Sequence, residues 1–343
     1  MEDAYHPCHD SAVNCTLDYY WDMNQYVVNE YKVLSKWQYL ETSEVRDYDP
    51  DGINYLSTTN QYFYDNSSHA QISRTYTTTS ENKREYTLTL FPDDYANIEG
   101  QPGDPIGMMK EKHMINTPIE TIQYESDTNG ENIKVLHGNI RTYRDFDNHI
   151  LLNSTYQLET SDPIPKSSFT LSNFQEPGIF PPDQGDPQDF AIGQWDQHYS
   201  PTPLVTVDEY DNYSNILQYH KENDINVTIL WGYNYSYPIA KIENATYDQV
   251  EGVLLDSLAI SYEQLQTKTS EELETIFQAL RNHDELKDAY IHSYTYSPLI
   301  GMISETTPYG IKTTYDYDAF GRHSNIRDHN SYILKHFDYN YAR

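Results

Sequence analysis

The chain has 343 residues, with 22 Lys and Arg against 53 Asp and Glu, and therefore a formal net charge of −31. This charge argues against binding to nucleic acids and to anionic membrane surfaces, because both repel a polyanion. The 34 tyrosines and the aromatic content of 14% supply ample material for a core, which argues against a wholly disordered chain.

The N-terminal residues show no targeting signal but hold both cysteines. The start of the chain lacks a basic end and an apolar stretch, so no signal peptide is predicted. No apolar run reaches the roughly 18 residues of a transmembrane helix, so no transmembrane segment is expected. The chain is expected to be cytoplasmic or a piece of a longer secreted protein. Cys8 and Cys15 lie near His6 and His9, and free thiols, a disulfide and a zinc site all stay open.

Alternating polar and apolar residues predict half-buried antiparallel strands along much of the chain. Residues 84–90 place Tyr86, Leu88 and Leu90 on one face. Residues 226–231 and 333–341 show the same alternation, which places these residues on shared faces: Val227, Ile229 and Trp231 in the first, and Ile333, Lys335, Phe337, Tyr339 and Tyr341 in the second. Turn residues predict tight connections at Asp51-Gly52, Asn66-Ser67, Asn129-Gly130 and His137-Gly138-Asn139.

Two stretches interrupt the strand pattern. Residues 160–205 are rich in proline, which predicts a long irregular connection with at most short edge strands. Residues 246–290 predict helices, because Thr246 to Gln249 and Thr269 to Glu272 have the spacing of capping boxes. One apolar stripe follows the second of these boxes, formed by Leu273, Ile276, Phe277 and Leu280.

A short Tyr-Asp motif recurs and predicts a repeated hairpin. The tyrosine ends a strand, the aspartate accepts hydrogen bonds from turn amides, and a small residue takes the left-handed position. The copies are Tyr48-Asp49 with Gly52, Tyr64-Asp65 with Ser68, Tyr210-Asp211 with Ser214, and Tyr317-Asp318 with Gly321. Such a unit predicts a repetitive sheet in which each hairpin buries its face against the next.

The C-terminal residues resemble the YD repeat of the RHS/YD-repeat family. The segment from Tyr315 to Arg322, with its continuation over 326–328 and 333–339, carries this resemblance. Residues 231–242 resemble segments of RHS-like surface proteins from Bacteroidetes-type bacteria. The clear match covers about residues 205–245 and 290–343, and residues 44–95 match more loosely.

This resemblance implies a β-sheet that spirals into a hollow shell. Some family shells enclose a toxic C-terminal domain, and others serve in contact, adhesion or carbohydrate binding at the surface. The chain departs from the pattern at Ser68 and Ser214, where the turn glycine is replaced. No toxin-sized segment follows the repeats, and the self-cleaving core of many family shells is not found. The Gly-Asp-Pro-Ile-Gly sequence at 103–107 resembles only a fragment of it. A terminal or partial portion of a shell is therefore expected.

Two groups of acidic residues could have a chemical role, and each also has a simpler structural explanation. Asp47, Asp49, Asp51 and Gly52 fit the start of a calcium loop, but Thr58 stands where the bidentate glutamate is needed, and a turn explains the same residues. Acid pairs such as Asp93-Asp94 and Glu271-Glu272 would suit a glycosidase only across a cleft, and a chain this acidic contains adjacent acids by chance.

The tryptophans and histidines also allow both a functional and a structural interpretation. Tryptophan side chains could stack on sugar rings or pack within the sheet; they are Trp21, Trp37, Trp195 and Trp231. His113, His220 and His292 are expected to be ordinary surface or strand residues. No residue is therefore assigned a catalytic, cofactor-binding or metal-ligating role, and no cofactor is expected.

The sequence as a whole predicts a mainly β fold, an antiparallel YD-repeat sheet that spirals toward a partial shell and carries a small helical insertion. The predicted division is a YD-repeat-like region (1–159), a Pro-rich connection (160–205), YD-repeat strands (206–245), a helical insertion (246–290) and C-terminal repeats (291–343). The predicted function is a non-enzymatic shell segment of a bacterial surface or secreted protein, with carbohydrate binding or adhesion as the alternative. Its expected partners are an encapsulated toxin domain or cell-surface glycans, and its expected location is extracellular or at the cell surface, with the cytoplasm left open.

Overall fold

A computed structural model describes residues 37–79, 81, 83–95, 105–173 and 195–340. The chain divides into two compact units, Met1–Leu40 and Glu41–Arg343. Only residues 37–40 of the first unit are described, so the predictions for Cys8, Cys15 and Trp21 lie outside the described residues.

The second unit confirms the predicted mainly β fold, with 17 strands in one open antiparallel sheet. The strands are β1 Thr42–Tyr48, β2 Tyr55–Phe63, β3 Arg74–Thr78, β4 Lys83–Leu90, β5 Glu120–Asp127, β6 Lys134–Phe146, β7 His149–Gln157, β8 Ile164–Pro165, β9 Val205–Tyr210, β10 Ile216–Lys221, β11 Asn226–Gly232, β12 Tyr237–Glu243, β13 Tyr290–Ser297, β14 Gly301–Thr306, β15 Lys312–Tyr317, β16 His323–Arg327 and β17 Ile333–His336.

The sheet follows the chain almost without a crossover. From β1 to β7 and from β9 to β17, each strand pairs antiparallel with the next strand in sequence. β9 pairs with β7, and β8 adds a short pairing to the start of β6. Among the described residues, β1 and β17 each have one neighbour and form the two ends of the strand order, and the two-residue β8 also has one neighbour, β6.

The predicted helices between 246 and 290 are confirmed. They are α2 Tyr247–Gly252, a π-helical turn over Val253–Ser257, α3 Tyr262–Leu265 and α4 Ser270–Arg281; α1, Pro105–Glu111, lies earlier in the chain. Both predicted capping boxes form, with reciprocal bonds between Thr246 and Gln249 and between Thr269 and Glu272. The predicted stripe on α4 is buried throughout. No helix in the described part is long and apolar enough to cross a membrane.

Two clusters of buried side chains form the core. The first joins β4–β7 to α1 and to residues 158–173 and 199, and includes Leu88, Ile122 and Phe169. The second packs the helices of the insertion on β10–β13, and includes Leu230 and Phe277. The strand 226–231 is therefore buried on both faces, because Thr228 and Leu230 lie under the helices while Val227 is buried on the other face.

The Tyr-Asp turn forms as predicted in three of its four copies. β1, β9 and β15 end at the tyrosine. The carboxylates of Asp49, Asp211 and Asp318 accept hydrogen bonds from turn amides at distances of 2.8–3.2 Å. The small residue has a left-handed φ of +68°, +68° and +73° at Gly52, Ser214 and Gly321. Two further turns have the same geometry without a preceding tyrosine, at Asp127 and Asp328.

The prediction for the Tyr64-Asp65 copy is wrong. Asp65 forms a two-point ion pair with Arg74, at 2.7 Å to Nε and 2.9 Å to Nη2. The left-handed residue of this connection is Ala70 and not Ser68. The connection from β2 to β3 is longer than the other turns, so the carboxylate reaches the first residue of the next strand instead of capping its own turn.

Two other local predictions are also wrong. Gly138 lies inside β6 opposite Ile122 and not in a turn. The last predicted strand ends at His336, and Ile333 and Leu334 are 53% and 63% exposed. β17 is not half-buried because it has β16 as its one neighbour among the described residues.

Candidate functional site

The most unusual polar group in the described part of the chain is the carboxylate of Glu120. This residue begins β5 and pairs with Ile140 of β6, and its side chain is completely buried. Ser172 donates to Glu120 Oε2 from its backbone N–H at 2.7 Å and from its hydroxyl at 2.6 Å. The Tyr199 hydroxyl donates to Glu120 Oε1 at 2.7 Å. The three donors compensate in part for the loss of water around the carboxylate.

A chain of hydroxyl groups extends from this carboxylate. The Tyr95 hydroxyl lies 2.5 Å from the Ser172 hydroxyl oxygen. Because Ser172 gives its proton to Glu120, Tyr95 is the donor in this second bond. The network thereby joins β5 to three separate segments of the chain. Tyr95 precedes α1, Ser172 follows β8, and Tyr199 precedes β9.

The electrostatics of the network follow from its burial. Burial raises the pKa of Glu120, and the nearby charge of Asp196 acts in the same direction, while the Ser172 and Tyr199 bonds oppose the rise. Burial also raises the pKa of Tyr199 and Tyr95 well above the ordinary range of a phenol. Both hydroxyls therefore keep their protons as donors at neutral pH.

Gly138 explains why Tyr199 can reach the carboxylate. A Cβ atom on Gly138 would lie 2.6 Å from the Tyr199 hydroxyl and 3.2 Å from Cγ2 of Ile122. A side chain at this position would push the phenol away from Glu120. The glycine therefore serves the close approach of a tyrosine to the sheet, which is one of the uses of glycine inside a strand.

A cavity of about 50 Å³ borders the network at Tyr95 and Ser172. Its walls are mostly apolar, and Arg141, Tyr143 and Trp195 also line it. The Nη1 atom of Arg141 is buried and has no hydrogen-bond partner within the described residues. Burial raises the pKa of Tyr143 to about 12, and the positive charge of Arg141 opposes that rise.

Of the candidate calcium-loop residues, Asp47 lies within β1 and Asp49 closes the turn that follows this strand. Asp49 Oδ1 accepts from Ile53 N at 3.2 Å, and its Oδ2 accepts from Asn54 Nδ2 at 2.8 Å. No group of three or more His, Cys, Asp or Glu side chains in the described ranges could hold a metal ion. The hydrogen bonds of Asp49 are those expected of the turn interpretation.

The two acid pairs have structural contacts. Asp94 is buried and accepts hydrogen bonds from Phe91 N, Asn66 Nδ2 and His69 Nε2. His69 is also buried, and its Nδ1 accepts from Gln71 N at 2.9 Å, so Nε2 carries the proton given to Asp94. Glu271 and Glu272 lie in the first turn of α4.

The tryptophans differ in exposure. Trp195 packs on Tyr156 with ring centres 4.9 Å apart, and Trp231 is half-buried and donates from Nε1 to Ile216 O at 2.9 Å. Trp37, by contrast, is exposed. Among the three histidines, His220 lies on β10 beside Asp208, His292 lies on β13, and His113 follows α1.

Sequence reasoning missed Glu120 and Arg141. One signal was present, because Glu120 is in phase with Ile122, Tyr124 and Ser126 of β5, and all four side chains are buried. A carboxylate in phase with the apolar face of a strand predicts a buried, hydrogen-bonded acid. Arg141 carried no comparable signal, because its neighbours in the cavity come from distant parts of the chain.

Comparisons with known proteins give a limited result. No protein-family model matches the chain, and no curated protein matches its sequence. Among solved structures, it is similar to a crystal structure of TcdB2-TccC3 without the hypervariable C-terminal region. That match has 10% identity and a TM-score of 0.37 over 84% of this chain and 14% of that chain. It is also similar to the Photorhabdus luminescens Tc holotoxin pore with a mutation in TccC3, at 10% identity and a TM-score of 0.28 over 85% and 13%. The chain thus spans about one seventh of each of these structures.

Proposed function

We propose that this chain is a non-enzymatic structural segment of a larger β-sheet shell, at the bacterial surface or outside the cell. The observation that carries the proposal is the architecture of the sheet. Its strands follow one another in sequence and its described edges, β1 and β17, each have one neighbour. A sheet of this kind can be extended at both edges without rearrangement.

The composition of the two edges supports continuation of the sheet. Val45 on β1 is 52% exposed, and Leu334 on β17 is 63% exposed. Unpaired edge strands with exposed apolar side chains promote association with other strands, and monomeric proteins usually cover or charge them. Further strands added to β1 and β17 would bury these side chains and satisfy the edge hydrogen-bonding groups.

The repeated turn supports a structural role for the tyrosines and aspartates. In the turns at Asp127, Asp211, Asp318 and Asp328, the carboxylate accepts hydrogen bonds from two backbone amides. These bonds close the hairpins that build the sheet. Two of these aspartates, Asp211 and Asp318, belong to the Tyr-Asp copies that carry the YD-repeat resemblance, and the shells of that family enclose a toxin domain or act in surface contact.

Electron microscopy of the protein expressed from its whole reading frame tests the proposal. The expected result is a hollow particle in which further strands continue the sheet at β1, at β17 or at both. A particle in which both edge strands face solvent would contradict it. A screen for glycosidase and peptidase activity is expected to be negative, and turnover that Glu120→Gln abolishes would overturn the non-enzymatic part.

Glycan binding is a second candidate, favoured by an exposed tyrosine that stacks on a half-buried one. Tyr213 is 64% exposed and stacks on Tyr235, with ring centres 4.1 Å apart and planes 20° apart. Flat aromatic faces of this kind can bind sugar rings. A glycan array tests this function, with Tyr213→Ala expected to remove hits and Tyr309→Ala as the matched exposed control. An array without hits for the folded protein would contradict it.

A further inference from the structure

We infer that Asn129 is a site of spontaneous modification, at which the backbone nitrogen of Gly130 attacks the side-chain amide and converts it into aspartate and isoaspartate. The inference concerns the turn between β5 and β6 and does not depend on the proposed shell function. Residues 129 and 130 form the one Asn-Gly pair in the sequence. Asparagine is among the thermolabile residues of proteins, and a following glycine leaves the attacking nitrogen without a neighbouring side chain.

The surroundings of Asn129 leave its side chain accessible. Asn129 is exposed, and within the described residues its side-chain amide forms no hydrogen bond. A Cβ atom added to Gly130 would meet no atom within 4 Å, so no neighbouring group shields the nitrogen. An open groove of about 580 Å³ borders Gly130, and Lys166 and Ser167 also line it. Water therefore has access to the peptide bond between Asn129 and Gly130.

The reaction balances with water as its co-reactant. The nitrogen of Gly130 loses its proton and forms a bond to Cγ of Asn129, and the C–N bond of the side-chain amide breaks to release ammonia. The product is a five-membered succinimide ring, which water then opens. Cleavage of the N–Cγ bond gives aspartate, whereas cleavage of the bond to the backbone carbonyl carbon gives isoaspartate, whose backbone is longer by one methylene group. Either product carries one more negative charge than asparagine.

The hydrogen bonds of the turn control how often Gly130 can react. Gly130 N donates to Asp127 O at 3.1 Å, so this N–H must leave the carbonyl before the nitrogen can bond to Cγ of Asn129. The Asp127 carboxylate closes the same turn, because its Oδ1 accepts from Asn129 N at 3.1 Å and from Glu131 N at 2.7 Å. The reaction therefore requires opening of the turn, and the Asp127 bonds are expected to slow it.

The turn between β16 and β17 is an internal control with nearly the same geometry. Asp328 Oδ1 accepts from Asn330 N at 2.9 Å, and Ser331 N donates to Asp328 O at 2.9 Å. The left-handed φ is +67° at Ser331, against +81° at the glycine of the β5–β6 turn. Asn330 is also exposed, but its Nδ2 lies 3.0 Å from His329 Nε2. One molecule thus contains the same turn with and without glycine after the asparagine.

Mass spectrometry of the purified full-length protein tests the inference. The protein is incubated at neutral and at mildly alkaline pH until a synthetic peptide of residues 124–134 has fully converted, and is then digested. The peptide that contains Asn129 is expected to gain about 1 Da, to take up one oxygen from isotopically labelled water, and to accept a methyl group from a protein isoaspartate methyltransferase. The peptide that contains Asn330 is expected to react about tenfold more slowly. An unmodified Asn129, or equal rates at the two asparagines, would overturn the inference.

Reciprocal variants of the two turns identify the cause. Gly130→Ser, which copies the control turn, is expected to slow conversion of Asn129 about tenfold, and Ser331→Gly is expected to speed conversion of Asn330 by a similar factor. Asp127→Ala is expected to speed conversion of Asn129, because the turn then opens more often. Circular dichroism verifies that each variant is folded. Rates that follow neither the Gly130→Ser nor the Ser331→Gly exchange would refute the attack by the glycine nitrogen.

Discussion

Removal of the Tyr199 hydroxyl is the sharpest test of the buried network. Tyr199→Phe deletes the donor 2.7 Å from Glu120 Oε1 and leaves the rest of the ring in place. A hydrogen bond to a buried charged group contributes about 1.5–3 kcal/mol, against about 0.5–1.5 kcal/mol for a neutral pair. We therefore expect Tyr199→Phe to lower the free energy of unfolding by about 2 kcal/mol, measured by urea denaturation followed by circular dichroism.

Tyr143→Phe is the matched control for this measurement. The Tyr143 hydroxyl donates to the neutral carbonyl of Pro118 at 2.8 Å, so its loss is expected to cost less, about 1 kcal/mol. In a Glu120→Gln background, the cost of Tyr199→Phe is expected to fall toward that of the control, because the acceptor no longer carries a charge. Equal costs of Tyr199→Phe in the two backgrounds would refute the assignment of a charged acceptor.

Three further predictions use the same unfolding assay. Burial raises the pKa of Glu120 in the folded state. The contribution of Glu120 to the free energy of unfolding is therefore fully present at low pH and is lost as the pH rises through the folded pKa. The stability of Glu120→Gln relative to the native protein should therefore increase from pH 4 to pH 7, and a constant difference would contradict this. Gly138→Ala should destabilise by about 1–3 kcal/mol through overpacking, whereas Gly252→Ala, which meets no atom within 4 Å, should be neutral or stabilising. Gly321→Ala should cost about 1 kcal/mol at its φ of +73°, and Ser214→Gly should stabilise by a similar amount at +68°; the same sign for both changes would refute the turn assignment.

Local signals in the sequence predicted the parts of the fold that depend on near neighbours. The capping boxes at Thr246 and Thr269 and the turn at Asp318 involve residues within four positions of one another, so spacing alone identified them. The same reasoning failed at Asp65, whose carboxylate binds Arg74 on the next strand. The sequence gives no sign that the connection from β2 to β3 is too long for the Asp65 carboxylate to bind the amides of its own turn.

The failures at the candidate site have a common physical cause. Gly138 resembled a turn residue because glycine is frequent in turns, but its role depends on Tyr199, which approaches it from a distant part of the chain. Arg141 likewise faces groups contributed by Tyr95, Ser172 and Trp195. Contacts between residues far apart in sequence leave no periodic pattern, so the cavity could not be predicted. The strand that carries Arg141, in contrast, lies within the region predicted to be rich in β-strands.

The order of strands in the sheet has a consequence for how the protein folds. Since nearly every strand pairs with its neighbour in sequence, most pairings close short loops and have a small entropic cost. Strands can then add to the sheet in the order in which the ribosome releases them. The pairing of β9 with β7 differs, because it must wait until residues 158–204 have been synthesised. We expect this junction to divide folding into two kinetic stages, with Glu120 and its donors completed only as the second stage begins.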